Sequence, residues 1–522
     1  MHAENVREVS KSAGLFELHE GGEVETSDVT PKDLKRKTAL GALLSTGAQI
    51  GTFVLRAGSF MILARLLLKE DFGLVNMVTA VTGFLGILRD GLSMATIQRV
   101  SVTGAQTSTV FWVNVIVGGL LALLTAIAAP ILVAFYGEPR LYWITVALAS
   151  ILMFNGAAVQ HRALLQRGMR FGLLAMIDIV SLLLSITTGI CMAVAGYGYW
   201  ALVGMALSQP AGGVVGLWLA TGWIPGFPQR RSGLRSMLAY GGAINFNNLI
   251  TYLAYNVDKV LIGRFWGAEA LGIYGRAYQL INLPNENLYS SIGLVAFPAL
   301  SRAQNDPGRL AKYFLKGYGL FLSLVLPITV ACALSAEDII LVFLGPKWHE
   351  ATEIFRLLAP SIMVFAFVSP FAWLMLASGL AGRCVKIALV VTPVLILSYA
   401  LGLKHGPQGV AAGLSTTMLL SIVPVVLWAR HGTLISMPDI LRAARPASVS
   451  VAIGAAAMLA TRPMINGVSP AFVRLVTESV VLCAVYLFSL FFIMGQRSVY
   501  MGLFREMGFW PLGDGTTGEP RV

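Results

Sequence analysis

The sequence predicts an all-α polytopic integral membrane protein: about 14 transmembrane helices in two pseudo-symmetric six-helix bundles, followed by two C-terminal helices. Three observations predict it. Of 522 residues, 56% are hydrophobic and only 12% are charged, about half the charge that a water-soluble surface carries. The apolar residues come in runs near twenty long, the length that crosses a roughly 30 Å hydrocarbon core. Polar and basic clusters punctuate these runs at short intervals, leaving no loop large enough for a soluble domain. An ordinary soluble enzyme is thereby excluded.

Residues 1–37 are polar and carry an acidic cluster (Glu17, Glu20, Glu23, Glu25, Asp28) with no apolar core ahead of Lys32, Lys35, Arg36 and Lys37. This is expected to be a disordered cytoplasmic tail without a cleavable leader. Length, hydropathy and the Gly, Pro and charge breaks then place spans at about 38–64, 72–98, 106–132, 141–165, 171–195, 198–223, 237–263, 269–299, 311–334, 352–378, 382–402, 407–429, 445–465 and 472–495. The expected domains are the tail 1–37, a first bundle 38–235, a second bundle 236–430, two further helices 431–495 and a C-terminal tail 496–522.

The loops orient the chain, because cytoplasmic connections are enriched in Lys and Arg. Loops on the side of the N-terminal tail hold 22 basic residues, among them Arg162, Arg167, Arg170, Arg230, Arg231 and Arg235, against 8 on the opposite side, among them Arg65, Lys69, Arg140 and Arg264. Both termini are expected in the cytoplasm. The net charge of +12 is explained by this topology, and no nucleic-acid partner is expected. Cys191, Cys332, Cys384 and Cys483 lie singly in apolar runs and read as small core hydrophobes. With no Cys/His group at ligand spacing, neither a metal nor a cofactor is expected.

An internal repeat appears at a shift of 199 positions. Ile62–Gly73 (ILARLLLKEDFG) aligns with Leu261–Gly272 (LIGRFWGAEALG), so that Arg65 meets Arg264, Glu70 meets Glu269 and Gly73 meets Gly272. Two halves in the same orientation follow, and such repeats place a substrate path at their interface. The GxxxG pairs Gly47/Gly51, Gly212/Gly216 and Gly409/Gly413 read as close helix packing. The DFG triplet at Asp71, Phe72 and Gly73 lacks every companion motif of a kinase and is a coincidence.

Polar residues inside the spans mark the candidate site. In the first span Ser45, Gln49, Thr52, Arg56 and Ser59 form one stripe, and in the second Asn76, Thr79, Gly83, Gly86, Asp90 and Ser93 do the same, with Arg89 adjacent. The seventh and eighth spans supply Asn248, Tyr252, Tyr255, Lys259, Asn282 and Glu286, and the fifth adds Asp178. A charge at a helix centre costs about 2.5–3.5 kcal/mol on insertion scales, so these groups are expected around a hydrated cavity. The cations Arg56, Arg89 and Lys259 suit an anionic ligand such as a phosphate. The carboxylates Asp90, Asp178, Asp258 and Glu286 either relay protons, hold a coupling cation or neutralise the cations; Asp258 and Lys259 also read as interfacial, and Arg89 with Asp90 as a local pair.

The runs LARLLLKEDFGLVNMVTAVTGFLGILRDGLSMATIQR (63–99) and NVDKVLIGRFWGAEALGIYGRAYQLINLP (256–284) resemble the polysaccharide transporter family, the Wzx-type flippases of the MOP superfamily, over about 38–495. The resemblance implies fourteen helices in two bundles, alternating access, and movement of a polyprenyl-pyrophosphate-linked oligosaccharide from the cytoplasmic to the periplasmic leaflet of a bacterial inner membrane. It marks Asn256, Asp258, Gly263, Gly272 and Tyr274 as pattern positions, and Arg56, Arg89 and Lys259 as this chain's candidates for the pyrophosphate. The implied partners are that lipid-linked substrate, membrane lipid, H+ or Na+ as coupling ion, and polysaccharide polymerase or export machinery. The protein is expected not to be an enzyme. A cation-coupled small-molecule exporter of the same superfamily is the first alternative, and a membrane-embedded polymerase the second.

Overall fold

The computed structural model describes residues 51–97, 104–168, 170–228, 249–465 and 470–506. Among them every regular element is helical. The first half holds α1 (51–66), α2 (Lys69–Ile97), α3 (Gly104–Ile127), α4 (Ala129–Tyr136), α5 (Leu141–Arg167), α6 (Phe171–Val194) and α7 (Tyr199–Thr221). After α8, described over 249–254, come α9 (Val257–Arg302), α10 (Pro307–Leu334), α11 (Ala336–Phe343), α12 (Ala351–Ala377), α13 (Ala381–Gly402), α14 (Gly406–Arg430), α15 (Met437–Ile465), α16 (Ala471–Phe488) and α17 (Arg497–Glu506). Nine helical stretches among the described residues are long and apolar enough to cross a membrane, and one of them, Ala381–Arg430, covers two of the expected spans. The expected breaks recur: α9 is two helices separated at Gly267, whose φ of 82° is one that a glycine adopts readily.

In each half the third span ends in a short separate helix, α4 and α11, closed by a left-handed glycine, Gly137 (φ 71°) and Gly345 (φ 96°). The structure thus repeats a detail that the sequence comparison had not paired.

The chain divides into two compact units, one built on Met1–Arg276 with Phe343–Gly345 and Ala388–Val410, the other on Ala277–Val342, Pro346–Ile387 and Ala411–Val522. In the first, α3 and α5 cross where Gly118 and Gly156 let the backbones touch; a Cβ on either would stand 2.7 Å from a carbonyl oxygen, of Leu152 and Asn114 respectively. The pair Gly212/Gly216 leaves room on α7 for the α6 side chains of Leu184 and Ile177, which a Cβ would meet at 3.0 and 2.9 Å. Small residues at such crossings are how helices associate where lipid removes the hydrophobic drive.

In the second unit, Asp306 caps α10 by accepting from the Arg309 amide at 3.0 Å, with Pro307 at the first helical position. Phe314, Tyr318 and Phe371 form its aromatic core. The last span, α16, is tied to α10 and α11 by polar bonds: Ser335 donates to Glu478 at 2.6 Å, Arg474 donates through Nε to Asp338 at 3.1 Å, and Tyr486 donates to the Ser323 carbonyl at 2.7 Å. One expectation is corrected here. None of the four cysteines is a core residue: Cys191 and Cys483 are exposed and Cys332 and Cys384 half-covered. An apolar residue of a membrane helix satisfies itself against lipid as well as against protein, so hydrophobicity alone does not place it inside.

Candidate functional site

The outer turns of the two repeats, at the end of the bundle poor in basic residues, touch each other. A Cβ on Gly73 would fall inside the carbonyl of Ala268, and one on Gly272 inside the carbonyl of Lys69. Ala268 is the repeat equivalent of Lys69, so these two contacts are one contact made twice about a local pseudo-two-fold axis. The crossing continues one turn inward, where the Asn76 amide lies over Gly275, its own equivalent. Lys69 pairs with Glu269 at 3.7 Å beside it. Asp71, of the DFG triplet, accepts from the Leu68 amide at 2.9 Å and so caps the start of α2.

Against this crossing the second repeat copy sets a group of charges. The seventh span breaks between α8 and α9, with Tyr255 and Asn256 in a turn. Asn256 serves both sides of the break: its Nδ2 donates to the Tyr252 carbonyl at 3.0 Å and its Oδ1 accepts from Lys259 Nζ at 2.8 Å. Lys259 also donates to the Tyr255 carbonyl at 3.3 Å. Non-helical backbone at membrane depth survives only where protein or water satisfies it, and transporters place ligand sites at such breaks.

Asp258 follows the break and is fully buried. Tyr274 donates to its Oδ2 at 2.6 Å, while Oδ1 has no partner among the described residues. Two positions on, Arg276 lays its guanidinium over Phe72 (4.0 Å) and Phe60 (4.9 Å). Its buried Nε has no hydrogen-bond partner among the described residues. Stacked aromatic faces hold a cation while leaving its in-plane donors available. Sequence reasoning missed Arg276. The signal was present: an arginine in an apolar run, preceded by the glycine that lets α2 approach.

The other predicted residues fall as follows. Arg56 is exposed on α1, one turn from Phe60, and its carbonyl accepts from Ser59 at 2.9 Å. Thr52, Asn76, Tyr255 and Asn282 are half-buried. Tyr252 donates to the Ala80 carbonyl at 2.9 Å over Gly83 and so braces α2. Asp178 is remote from the group above in its bonding: it forms a bidentate pair with Arg162, in which Nη1 donates to Oδ2 at 3.1 Å. Gln49 and Asn248 lie outside the described residues, as do the side chains of Arg89, Asp90 and Glu286.

A cation on aromatic faces, a lysine, a buried acid and a broken helix together define a helical membrane protein with a polar site inside its spans. The chain belongs to the family described as polysaccharide biosynthesis protein, which matches residues 62–353, more than half of its length. Among its relatives, it is 28% identical over 334 residues to the teichuronic acid biosynthesis protein TuaB of Bacillus subtilis, covering 63% of this chain and 68% of that one. It is 24% identical over 347 residues to the succinoglycan biosynthesis transport protein ExoT of Rhizobium meliloti, covering 66% and 69%. Its fold is similar to that of the lipid II flippase MurJ in an inward closed conformation, with a TM-score of 0.71 at 14% identity over 88% of this chain and 100% of that one. That likeness concerns the fold alone.

Proposed function

We propose that this protein is a flippase that moves a polyprenyl-pyrophosphate-linked oligosaccharide from the cytoplasmic to the periplasmic leaflet of a bacterial inner membrane, supplying exopolysaccharide, capsule or O-antigen synthesis. The observation that carries it is the charge of the second repeat copy, with Arg276 stacked on Phe72 and Phe60, and with Lys259 and the buried Asp258 next to a broken helix, in a chain of the polysaccharide biosynthesis family. Relatives named for teichuronic acid and succinoglycan support the substrate class.

In this account the two six-helix bundles, 38–235 and 236–430, rock by alternating access, both termini stay cytoplasmic, and the pair 431–495 is an addition to the second bundle. Arg56, Arg89, Lys259 and now Arg276 attract the pyrophosphate, since guanidinium and ammonium groups give charge-assisted hydrogen bonds to its oxygens. Asp258 offers one free carboxylate oxygen to a coupling H+ or Na+. Asp178, already paired with Arg162, serves as a neutralising group. The polyprenyl chain stays in lipid while the head passes through, and a downstream polymerase removes the product and gives the cycle its direction. No covalent step is assigned to the protein.

Reconstitution tests this. Liposomes holding the purified protein should render an enclosed, labelled lipid-linked oligosaccharide accessible to an external reagent, and Arg56→Ala should abolish that while inserting at normal abundance. Equal accessibility in protein-free liposomes would overturn the assignment, and export of small cationic compounds without lipid movement would favour the exporter alternative.

A further inference from the structure

Away from this site, the start of α10 carries a charged face that the fold leaves uncovered. Arg309, Lys312 and Lys316 stand three and four positions apart, on one side of the helix, and all three are exposed. Beside them runs a stripe of Tyr313, Leu320 and Leu324, in which Tyr313 is 43% and Leu324 46% exposed. Going inward along α10, this side passes from cations through a tyrosine to a leucine that the protein leaves largely uncovered.

Arg309 is held in place by that tyrosine: its Nε and Nη2 donate to the Tyr313 hydroxyl at 3.2 and 3.1 Å, and its guanidinium lies over the ring at 5.2 Å. Lys312 and Lys316 have no ion pair among the described residues. The neighbouring acids are engaged. Asp306 accepts from the Arg309 amide at 3.0 Å. On α15, which crosses α10 where a Cβ on Gly319 would stand 3.1 Å from the Ala443 carbonyl, Asp439 accepts from Arg442 at 3.1 Å. A third element adds a cation: Tyr500 of α17 donates to Ser323 Oγ of α10 at 2.6 Å, and Arg497, one turn before Tyr500, is exposed.

The charge bias that orients membrane spans does not account for this face. The third span of the first half, α3, likewise exposes Trp112, Ile116 and Leu120, yet Gly104–Ile127 contains no charged residue. A span in this place therefore needs no cations on its first turns.

We propose that the first three turns of α10, with Arg442 and Arg497 on the adjoining helices, bind the headgroups of anionic phospholipid. Guanidinium and ammonium groups give charge-assisted hydrogen bonds to phosphate oxygens. A tyrosine is suited to the boundary between headgroup and acyl chain, with its ring in the one and its hydroxyl toward the other. Leu324 follows Lys316 by eight positions, about 12 Å of helix, which lies within the roughly 15 Å that half a hydrocarbon core spans. Phosphate-binding groups and an acyl-chain contact are thus spaced as they are in one phospholipid molecule. An acidic protein segment would meet the cations but not the uncovered leucine inside the span. That the leaflet is the cytoplasmic one rests on the proposed orientation of the flippase; the binding does not.

Calorimetric titration of short-chain phosphatidylglycerol into the purified full chain in a neutral detergent tests this. The variant Lys312→Gln with Lys316→Gln should bind more weakly than wild type by roughly fivefold for each charge removed. Lys386→Gln with Lys404→Gln, which removes two exposed lysines elsewhere, should bind as wild type does. Equal weakening in both variants would reduce the effect to net charge and overturn the proposal. So would equally tight binding of short-chain phosphatidylcholine or of inorganic phosphate, since the one lacks the net charge and the other the acyl chain. Selective binding by a protein that flips no lipid-linked oligosaccharide leaves the phospholipid site standing and refutes the flippase assignment, whereas flipping with unchanged binding in both variants refutes the site alone.

Discussion

The outer turns Ile62–Gly73 and Leu261–Gly272 share the glycines Gly73 and Gly272, the arginines Arg65 and Arg264 and their mutual contact, but the residues inward of them differ sharply. Where the second copy has Asp258, Lys259, Tyr274 and Arg276, the equivalent positions of the first are Ser59, Phe60, Val75 and Met77. Phe60 provides a face for Arg276, and Met77 packs beside Gly263. Shared positions therefore build the frame, and function is to be sought where the symmetry is broken. At these four positions the first copy provides surfaces, and the second provides charge.

The comparison breaks most severely if its frame is changed. Gly272→Ala or Gly73→Ala must push apart two backbones, and overpacking of this kind costs about 1–3 kcal/mol even against side chains. The unfolding temperature in detergent should fall and surface polysaccharide should be lost, while Gly58→Ala, with nothing within 4 Å of the added carbon, should leave both unchanged. Next in size is the charge asymmetry itself. Asp258→Asn keeps the shape but loses the charge and should stop transport at normal abundance, whereas Ser59→Ala at the equivalent position should transport as wild type; a quantitative blot with a flipping assay separates the two.

Arg276→Met makes the second copy resemble the first. Loss of charged hydrogen bonds worth about 1.5–3 kcal/mol predicts a fall of roughly tenfold or more in flipping rate, with the aromatic pair Phe60 and Phe72 still covered by an apolar chain. The smallest effect belongs to the rim. Arg140 bonds Glu138 at 2.7 and 2.8 Å and also reaches Glu70. Its hydrogen bonds hold the Glu138 carboxyl below the usual range. The pair contributes fully above the ordinary carboxylate range and is lost as pH falls through the lowered value in the folded protein. Being exposed, it is worth at most about 1 kcal/mol, so Arg140→Gln should lower the unfolding temperature slightly near neutral pH, with the difference from wild type vanishing in acid.

Helix positions were legible from the sequence because apolar run length and Gly/Pro breaks act locally: the expected 141–165, 171–195 and 407–429 are Leu141–Arg167, Phe171–Val194 and Gly406–Arg430. The repeat was legible too, and its glycines identified the crossing. The sequence did not show which polar residues share a partner. Asp178 and Asp258 look alike as acids within spans, yet one pairs with Arg162 at an exposed edge and the other is buried under Tyr274. Arg276 escaped notice because its neighbours are aromatic rings contributed by distant segments, which leave no pattern in the local sequence.

The central claim is that the charges of the second repeat copy carry a lipid-linked sugar across the membrane. It is tested most directly by the amount and sidedness of polyprenyl-linked oligosaccharide in cells depleted of the protein and complemented with wild type or with Arg276→Met. Complete units facing the cytoplasm should accumulate on depletion, clear with wild type, and persist with Arg276→Met. Complete units reaching the outer face equally in all three would contradict the account.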